Sequence, residues 1–209
     1  MAAELTFLSL GANVGDALET LTAAVYALDE LDGVAVEEVS GVYETAPWPP
    51  PDDPRHVPQD PYLNLVVRSR TSLTPRALLH ETQLLETAFG RDRATEQRWG
   101  PRPLDIDLLL VGDALVDTPE LQLPHPRLEE RAFVLVPLLE VWPGGTLPGG
   151  RRVTQALAAL APIEGIELVV RLADVPGRHL TRPEGPGAPP PSFDRPGLDP
   201  TPDGPRGDR

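Results

Sequence analysis

The chain contains no cysteine and no lysine. Without cysteine there are no disulfides, no thiolate metal ligands and no cysteine nucleophile, which fits a reducing compartment. Without lysine there is no Schiff-base amine and no phosphate-loop ammonium. Any cationic contact to a phosphate must come from arginine, histidine or a metal. Positive charge is scarce overall: 18 basic against 32 acidic side chains give a formal net charge of −14. Such a chain is a poor general binder of nucleic acid or anionic membrane. No apolar run approaches the roughly 20 residues that span a bilayer. The stretch Met1–Gly11 has no basic start and reads as a first strand, not a signal peptide. There is no G-x-x-x-x-G-K loop, and Gly11-Ala12-Asn13-Val14-Gly15 does not match G-x-G-x-x-G, so any nucleotide is held by other means. The expectation is a cytoplasmic protein with neither nucleic acid nor membrane as partner.

What is present organises into one domain and an appendage. The 209 residues are enough for a single real core. Leu5–Leu10 is a β-rich apolar run. Asp16 with Glu19 forms a capping box before Leu18, Leu21, Val25 and Leu28, which recur at helical spacing; a helix is expected over Ala17–Leu31. Val34–Tyr43 reads as one second strand. Thr45–Pro61 carries Pro47, Pro49, Pro50, Pro51, Pro54, Pro58 and Pro61, a density no regular element tolerates, so it is a long loop. Tyr62–Arg70 alternates as a strand, and Thr74 caps a helix with Pro75 at its first position. Arg91–Pro103 is a polar loop, and Leu104–Val111 a strand. Arg131–Val141 reads as helix at least up to Pro137. A short helix over Thr154–Leu160 and a strand over Ile166–Leu172 follow. The order βαββαβ predicts an α+β fold, a ferredoxin-like antiparallel sheet with helices packed against it. Nine prolines between Pro183 and Pro205, with no apolar periodicity, predict a disordered Pro/Gly-rich tail over 177–209 after a domain of residues 1–176.

The chemistry concentrates between Gly90 and Leu110. Asp105 and Asp107 stand at i and i+2 of a strand and so share a face. Two adjacent carboxylates repel unless something cationic joins them, and magnesium, which takes oxygen ligands and keeps waters and phosphates, is the natural partner. Alone, the pair is as compatible with a solvated strand edge. Upstream lie Arg91, Arg93, Arg98 and Arg102 with Trp99 among them, a cationic patch in an acidic chain. Arginine forks bind phosphate oxygens in pairs. Magnesium carboxylates beside arginines form an arrangement for phosphoryl transfer. His125 and Arg131 could reach the same anion. Tyr62 and Asn64 share one face of the third strand, where an aromatic and an amide could hold a flat heterocycle. Two rivals stand at this level: an RNA-binding module of ferredoxin-like fold, and a magnesium-dependent transferase acting on another alcohol.

The run Arg98-Trp99-Gly100-Pro101-Arg102-Pro103-Leu104-Asp105-Ile106-Asp107-Leu108 resembles the signature of the 6-hydroxymethyl-7,8-dihydropterin pyrophosphokinase family of folate biosynthesis. Further pieces agree in order: Leu10-Gly11-Ala12-Asn13, Tyr43 to Pro47, Tyr62-Leu63-Asn64, and Pro124-His125 with Arg131 and Phe133. The resemblance implies transfer of a diphosphate from ATP to the pterin's hydroxymethyl group, with release of AMP, using two magnesium ions; the chain is expected to act as a monomer. It implies that Asp105 and Asp107 hold the metals and act catalytically with Arg91 and Arg102. ATP would lie along Gln83, Glu86, Arg91, Arg93, Arg98, Trp99, Arg102, Leu108, His125 and Arg131. The pterin would stack between Tyr62 and Phe133, with Gly11, Thr45, Ala46, Pro47, Trp48 and Asn64 around it. Departures from the family pattern include Pro126, where an aromatic is common, Trp48 in a usually aliphatic position, and a longer proline-rich loop.

Overall fold

The computed structural model describes residues 2–172. The expected boundary after residue 176 and the tail over 177–209 lie outside the described residues.

The first strand, β1 (Glu4–Ala12), is buried from Thr6 to Ala12 without alternation, as a central strand covered on both faces must be. Helix α1 (Ala17–Asp29) starts at Asp16, whose carboxylate accepts from the Glu19 backbone N–H at 2.9 Å. Its stripe of Leu21, Ala24, Val25 and Leu28 is buried. Full burial of each leucine or valine contributes about 1.5–3 kcal/mol. The expected strand over 34–43 is two strands, β2 (Val34–Val39) and β3 (Gly41–Thr45). Ser40 divides them: its hydroxyl accepts from the Val66 N–H at 2.9 Å and donates to the Gly41 carbonyl at 2.8 Å. Such local side-chain bonds compete with a continuous ladder. Both strands pair with β4 (Tyr62–Thr71). Helix α2 (Pro75–Ala88) begins as expected at Thr74, with Pro75 in its first turn. Gly90, at φ +91°, turns the chain out of it.

Strand β5 (Asp105–Val111) completes the ferredoxin-like set. A hairpin of β6 (Val116–Asp117) and β7 (Gln122–Leu123), too short to show a period, was not foreseen from the sequence. Helix α3 (Ala132–Val141) runs past Pro137. The hydrogen bond that Pro137 cannot make is outweighed by the burial of Val134, Leu135, Leu138 and Val141 around it. Helix α4 (Val153–Ala158) and strand β8 (Ile166–Arg171) follow. The main sheet has the order β5-β1-β4-β3-β8, with β2 also on β4, and every pairing is antiparallel.

The sheet separates two cores. Leu8, Leu10, Leu65 and Ile106 pack with α1 and with Leu78 of α2. Phe7, Val66, Leu109 and Leu110 pack with Leu135 and Leu138 of α3 and with Val153 of α4. The helices after β5 thus add a third layer to the expected sandwich. A bulge sets the phase of β5: Phe7 pairs with Leu110 and Leu8 with Leu108, leaving Leu109 as the extra residue. Leu109 and Leu110 therefore both serve the α3 core, while Asp105 and Asp107 further along the strand face the same side. Glu140 of α3 fastens the outer strands by accepting from Gly41 N–H at 2.7 Å, Tyr43 O–H at 2.6 Å and two nitrogens of Arg171 at 3.1 and 2.9 Å. Among the described residues no helix is long and apolar enough to cross a membrane.

Candidate active site

A cleft of about 630 Å³ opens on the α3 side of the sheet, over the ends of β5, β1, β4 and β3. Its floor follows from strand register. Gly11 pairs with Asp105 on one side and Asn64 on the other, and Asn64 pairs with Tyr43. The Asn64 amide donates to Thr45 Oγ1 at 2.8 Å. A Cβ on Gly11 would lie 2.9 Å from Asn64 Oδ1, so glycine there lets the amide lie flat across the floor.

The two aspartates stand side by side among cations. Asp105 accepts from Arg102 Nη1 at 2.5 Å and from Arg91 Nη1. Asp107 accepts from Arg131 Nη1 at 3.1 Å, and His125 Nε2 is 3.8 Å from it. Burial opposes charge on Asp105, but Arg102 and Arg91 outweigh it and hold its carboxyl below the ordinary value. Burial and the neighbouring Asp105 charge push Asp107 up, past the pull of His125 and Arg131. His125 Nδ1 accepts from the Arg127 N–H at 3.1 Å, which leaves the proton on Nε2, toward Asp107. Burial lowers the His125 pKa despite the nearby Asp107 charge. The donor set suits magnesium: two hard carboxylates fixed on one strand face, open to the cleft. Among the described residues no three His, Cys, Asp or Glu side chains are grouped to hold a metal by themselves. An ion here would complete its shell with water and phosphate, as magnesium does.

The two long loops meet over this floor. Asn13 joins backbone to backbone with Arg102, its N–H donating to the Arg102 carbonyl at 3.0 Å, while Asn13 Oδ1 accepts from the Arg102 N–H at 2.8 Å. Its amide donates to Gln59 Oε1 at 2.9 Å, and Gln59 Nε2 donates to the Trp99 carbonyl at 2.7 Å. The Tyr62 hydroxyl donates to the Gly100 carbonyl at 2.8 Å. Trp99 has φ +61°, a left-handed conformation uncommon for a bulky residue. Arg98 and Arg55 lie over its ring at 4.4 and 4.9 Å.

Of the residues expected from sequence, Gly11, Thr45, Ala46, Trp48, Tyr62, Asn64, Trp99, Arg102, Asp105, Asp107, Arg131 and Phe133 line the cleft. Others do not. Arg91 is buried, its fork spent on Glu86, Glu96 and Asp105. Glu86 is 1% exposed and accepts from Arg91 Nη1 at 2.6 Å, Ile106 N–H at 2.8 Å and Arg93 Nη2. Leu108 points into the α1–α2 core, which follows from its alternation with Asp107. Gln83, Arg93, Arg98, His125 and Pro47 are also absent from the lining. Asn13 and Gln59 as site-builders, and Arg127, Glu130, Glu164 and Ile166 as lining, were not expected from the sequence. Arg127 adjoins His125 and was legible as one more cation; Glu164 and Ile166 come from a distant segment and gave no local signal.

The profile of 7,8-dihydro-6-hydroxymethylpterin-pyrophosphokinase (HPPK) matches residues 7–143. A Methylorubrum extorquens protein named 2-amino-4-hydroxy-6-hydroxymethyldihydropteridine pyrophosphokinase is 45% identical over 163 residues, 78% of this chain and 97% of that one. A Pseudomonas aeruginosa protein of the same name is 40% identical over 161 residues, 77% of this chain and 94% of that one. The fold is similar to that in a crystal structure of wild-type Plasmodium falciparum HPPK-DHPS with pteroate, at a TM-score of 0.59 and 13% identity. That match covers 75% of this chain and 42% of the other, and it speaks for the fold alone.

Proposed function

The chain belongs to the 7,8-dihydro-6-hydroxymethylpterin-pyrophosphokinase family, and from that premise we propose how its cleft works. The enzyme transfers diphosphate from ATP to the hydroxymethyl group of 6-hydroxymethyl-7,8-dihydropterin, releasing AMP, in folate biosynthesis. The proposal concerns the residues. Asp105 and Asp107 hold two magnesium ions together with ATP. The observation that carries this is the carboxylate pair on the cleft floor, ringed by Arg102 and Arg131. Bound metal supplies positive charge beside the phosphate oxygens undergoing transfer.

The rest is positioning and electrostatics. Arg102 and Arg131 neutralise the aspartates while no anion is present, and turn their forks to polyphosphate when it enters. Arg93 and Arg98, exposed on the loop, meet the outer part of ATP, with Gln83 beyond them. Arg91 and Glu86 act from behind, as positioning residues that set the height and angle of Asp105. Tyr62 and Phe133 stack the pterin, and Asn64 with the backbone of Thr45–Pro47 reads its edge. Burial pushes the Tyr62 hydroxyl up to about 12, and it donates to Gly100, so it is no general base. The loops 45–61 and 91–102, tied through Gln59, exclude water from the reacting phosphate. We place the enzyme in the cytoplasm, acting as a monomer, with residues 1–176 as the catalytic unit.

The test is incubation with ATP, magnesium and the hydroxymethyldihydropterin, with nucleotides separated by chromatography. AMP is expected and ADP is not. Asp107→Ala should abolish transfer with its melting curve retained; an active variant would sink the metal assignment.

A further inference from the structure

We propose that Glu164 is a specificity residue that binds the amino end of the pterin. This rests on the reaction just described. The cleft is polar in the electrical sense. At its β5 and α3 end it is lined by Arg102, Arg127 and Arg131. At its β3 and β8 end it is lined by Glu164. The other carboxylates of the lining are all paired: Asp105 with Arg102, Asp107 with Arg131, Glu130 with Arg127. Glu164 has no hydrogen bond or ion pair among the described residues. It also stands outside the span 7–143 that the family profile matches.

Sheet register fixes where Glu164 lies. Thr45 pairs with Ile166, so continuing the antiparallel register sets Glu164 level with Pro47, just past the end of the ladder. From β5 to β8 is four strand steps in the order β5-β1-β4-β3-β8. At about 4.8 Å per step, the aspartate pair and the β8 edge are roughly 19 Å apart. The substrate's reacting hydroxymethyl must face the aspartates and the polyphosphate. Its 2-amino group is at the opposite end of the bicycle and so points across β4 and β3 toward β8. An N–H donor there meets an unpaired carboxylate. The same charge repels polyphosphate, so one side chain rewards the neutral heterocycle in the correct direction and rejects ATP from the pterin end.

The experiment uses the full chain and AMP release at varied concentrations of each substrate. Glu164→Ala should raise the KM for the dihydropterin roughly tenfold, the worth of one charge-assisted hydrogen bond in a solvent-open site. The KM for ATP should stay unchanged and kcat within about twofold. Glu164→Gln should fall between, since its amide oxygen still accepts. The second substrate is an analogue lacking the 2-amino group. It should cost wild type about the factor that Glu164→Ala costs, and should cost Glu164→Ala little more. Equal penalties for the analogue in wild type and variant, or an unchanged pterin KM, would overturn the proposal. A wild type that releases no AMP would instead overturn the reaction on which it rests. A parallel rise in both KM values with a lowered melting temperature would mean loss of cleft structure, and would also overturn it.

Discussion

Replacing Glu86 by alanine tests whether this residue touches nucleotide, as the sequence resemblance implies, or acts from behind the site. Glu86 is 1% exposed and gathers three donors: Arg91 Nη1, Arg93 Nη2 and the backbone N–H of Ile106. Its removal strands the Ile106 N–H inside the protein, at about 1–3 kcal/mol. It also removes one of three carboxylates around a guanidinium that is itself 5% exposed, worth about 1.5–3 kcal/mol as a charged hydrogen bond. Arg91 keeps Glu96 and Asp105, so the loss stays below that of a fully orphaned buried charge. Arg93 is half exposed and adds little. The sum is about 2.5–6 kcal/mol, or roughly 5–24 °C in melting temperature for a domain of this size. Differential scanning calorimetry on the full chain, with and without ATP, reads it directly. A melting temperature within 2 °C of wild type, combined with a raised KM for ATP, would refute the reasoning and return Glu86 to the nucleotide.

Gly11→Ala should push Asn64 off Thr45, because the new Cβ falls 2.9 Å from Asn64 Oδ1. The expected cost is about 1–2 kcal/mol and a selective rise in the KM for pterin; steady-state kinetics with an unmoved pterin KM would contradict it. A pH series follows from Glu140. Burial opposes its charge, but Arg171, the Gly41 N–H and Tyr43 together hold its carboxyl below the ordinary value. A depressed carboxylate stabilises fully above its unfolded pKa and loses that stabilisation as pH falls through the folded one. Wild type should therefore melt above Glu140→Gln at pH 7, with the gap narrowing as pH falls below the ordinary glutamate range of about 4.3; a gap that does not narrow at all as the solution is acidified would show that charge is not the cause. Deleting residues 177–209 should leave AMP formation unchanged, and a loss of activity would mean that the catalytic unit extends past residue 176.

The local elements were legible because their signals are local. Asp16 and Thr74 cap the helices they were expected to cap, since a capping oxygen needs only a backbone N–H two or three residues on. The ferredoxin-like order followed from element sequence alone. The shared face of Asp105 and Asp107 followed from the period of a strand. Ser40 hid its interruption, because its hydroxyl bonds across to Val66 on another strand, 26 residues away. The third layer hid as well. Val66 and Leu109 read as buried strand residues, but nothing in their neighbourhood says which helix covers them.

The site divides along the same line. Residue types and spacing determined the chemistry: two carboxylates on one strand face, arginines and no lysine, an amide beside an aromatic. Partner choice among charges was decided only by the fold. Arg91 and Arg102 are eleven residues apart and alike in composition, yet one is buried behind Asp105 with Glu86 and the other lines the cleft. Glu164, in the loop before β8, and Asp105, at the start of β5, are both acids, and only register across five strands sets them at opposite ends of one cavity. The reason is physical. Caps, turns and strand faces depend on neighbours along the chain, whereas burial and the sign of the local field depend on which distant segments pack together.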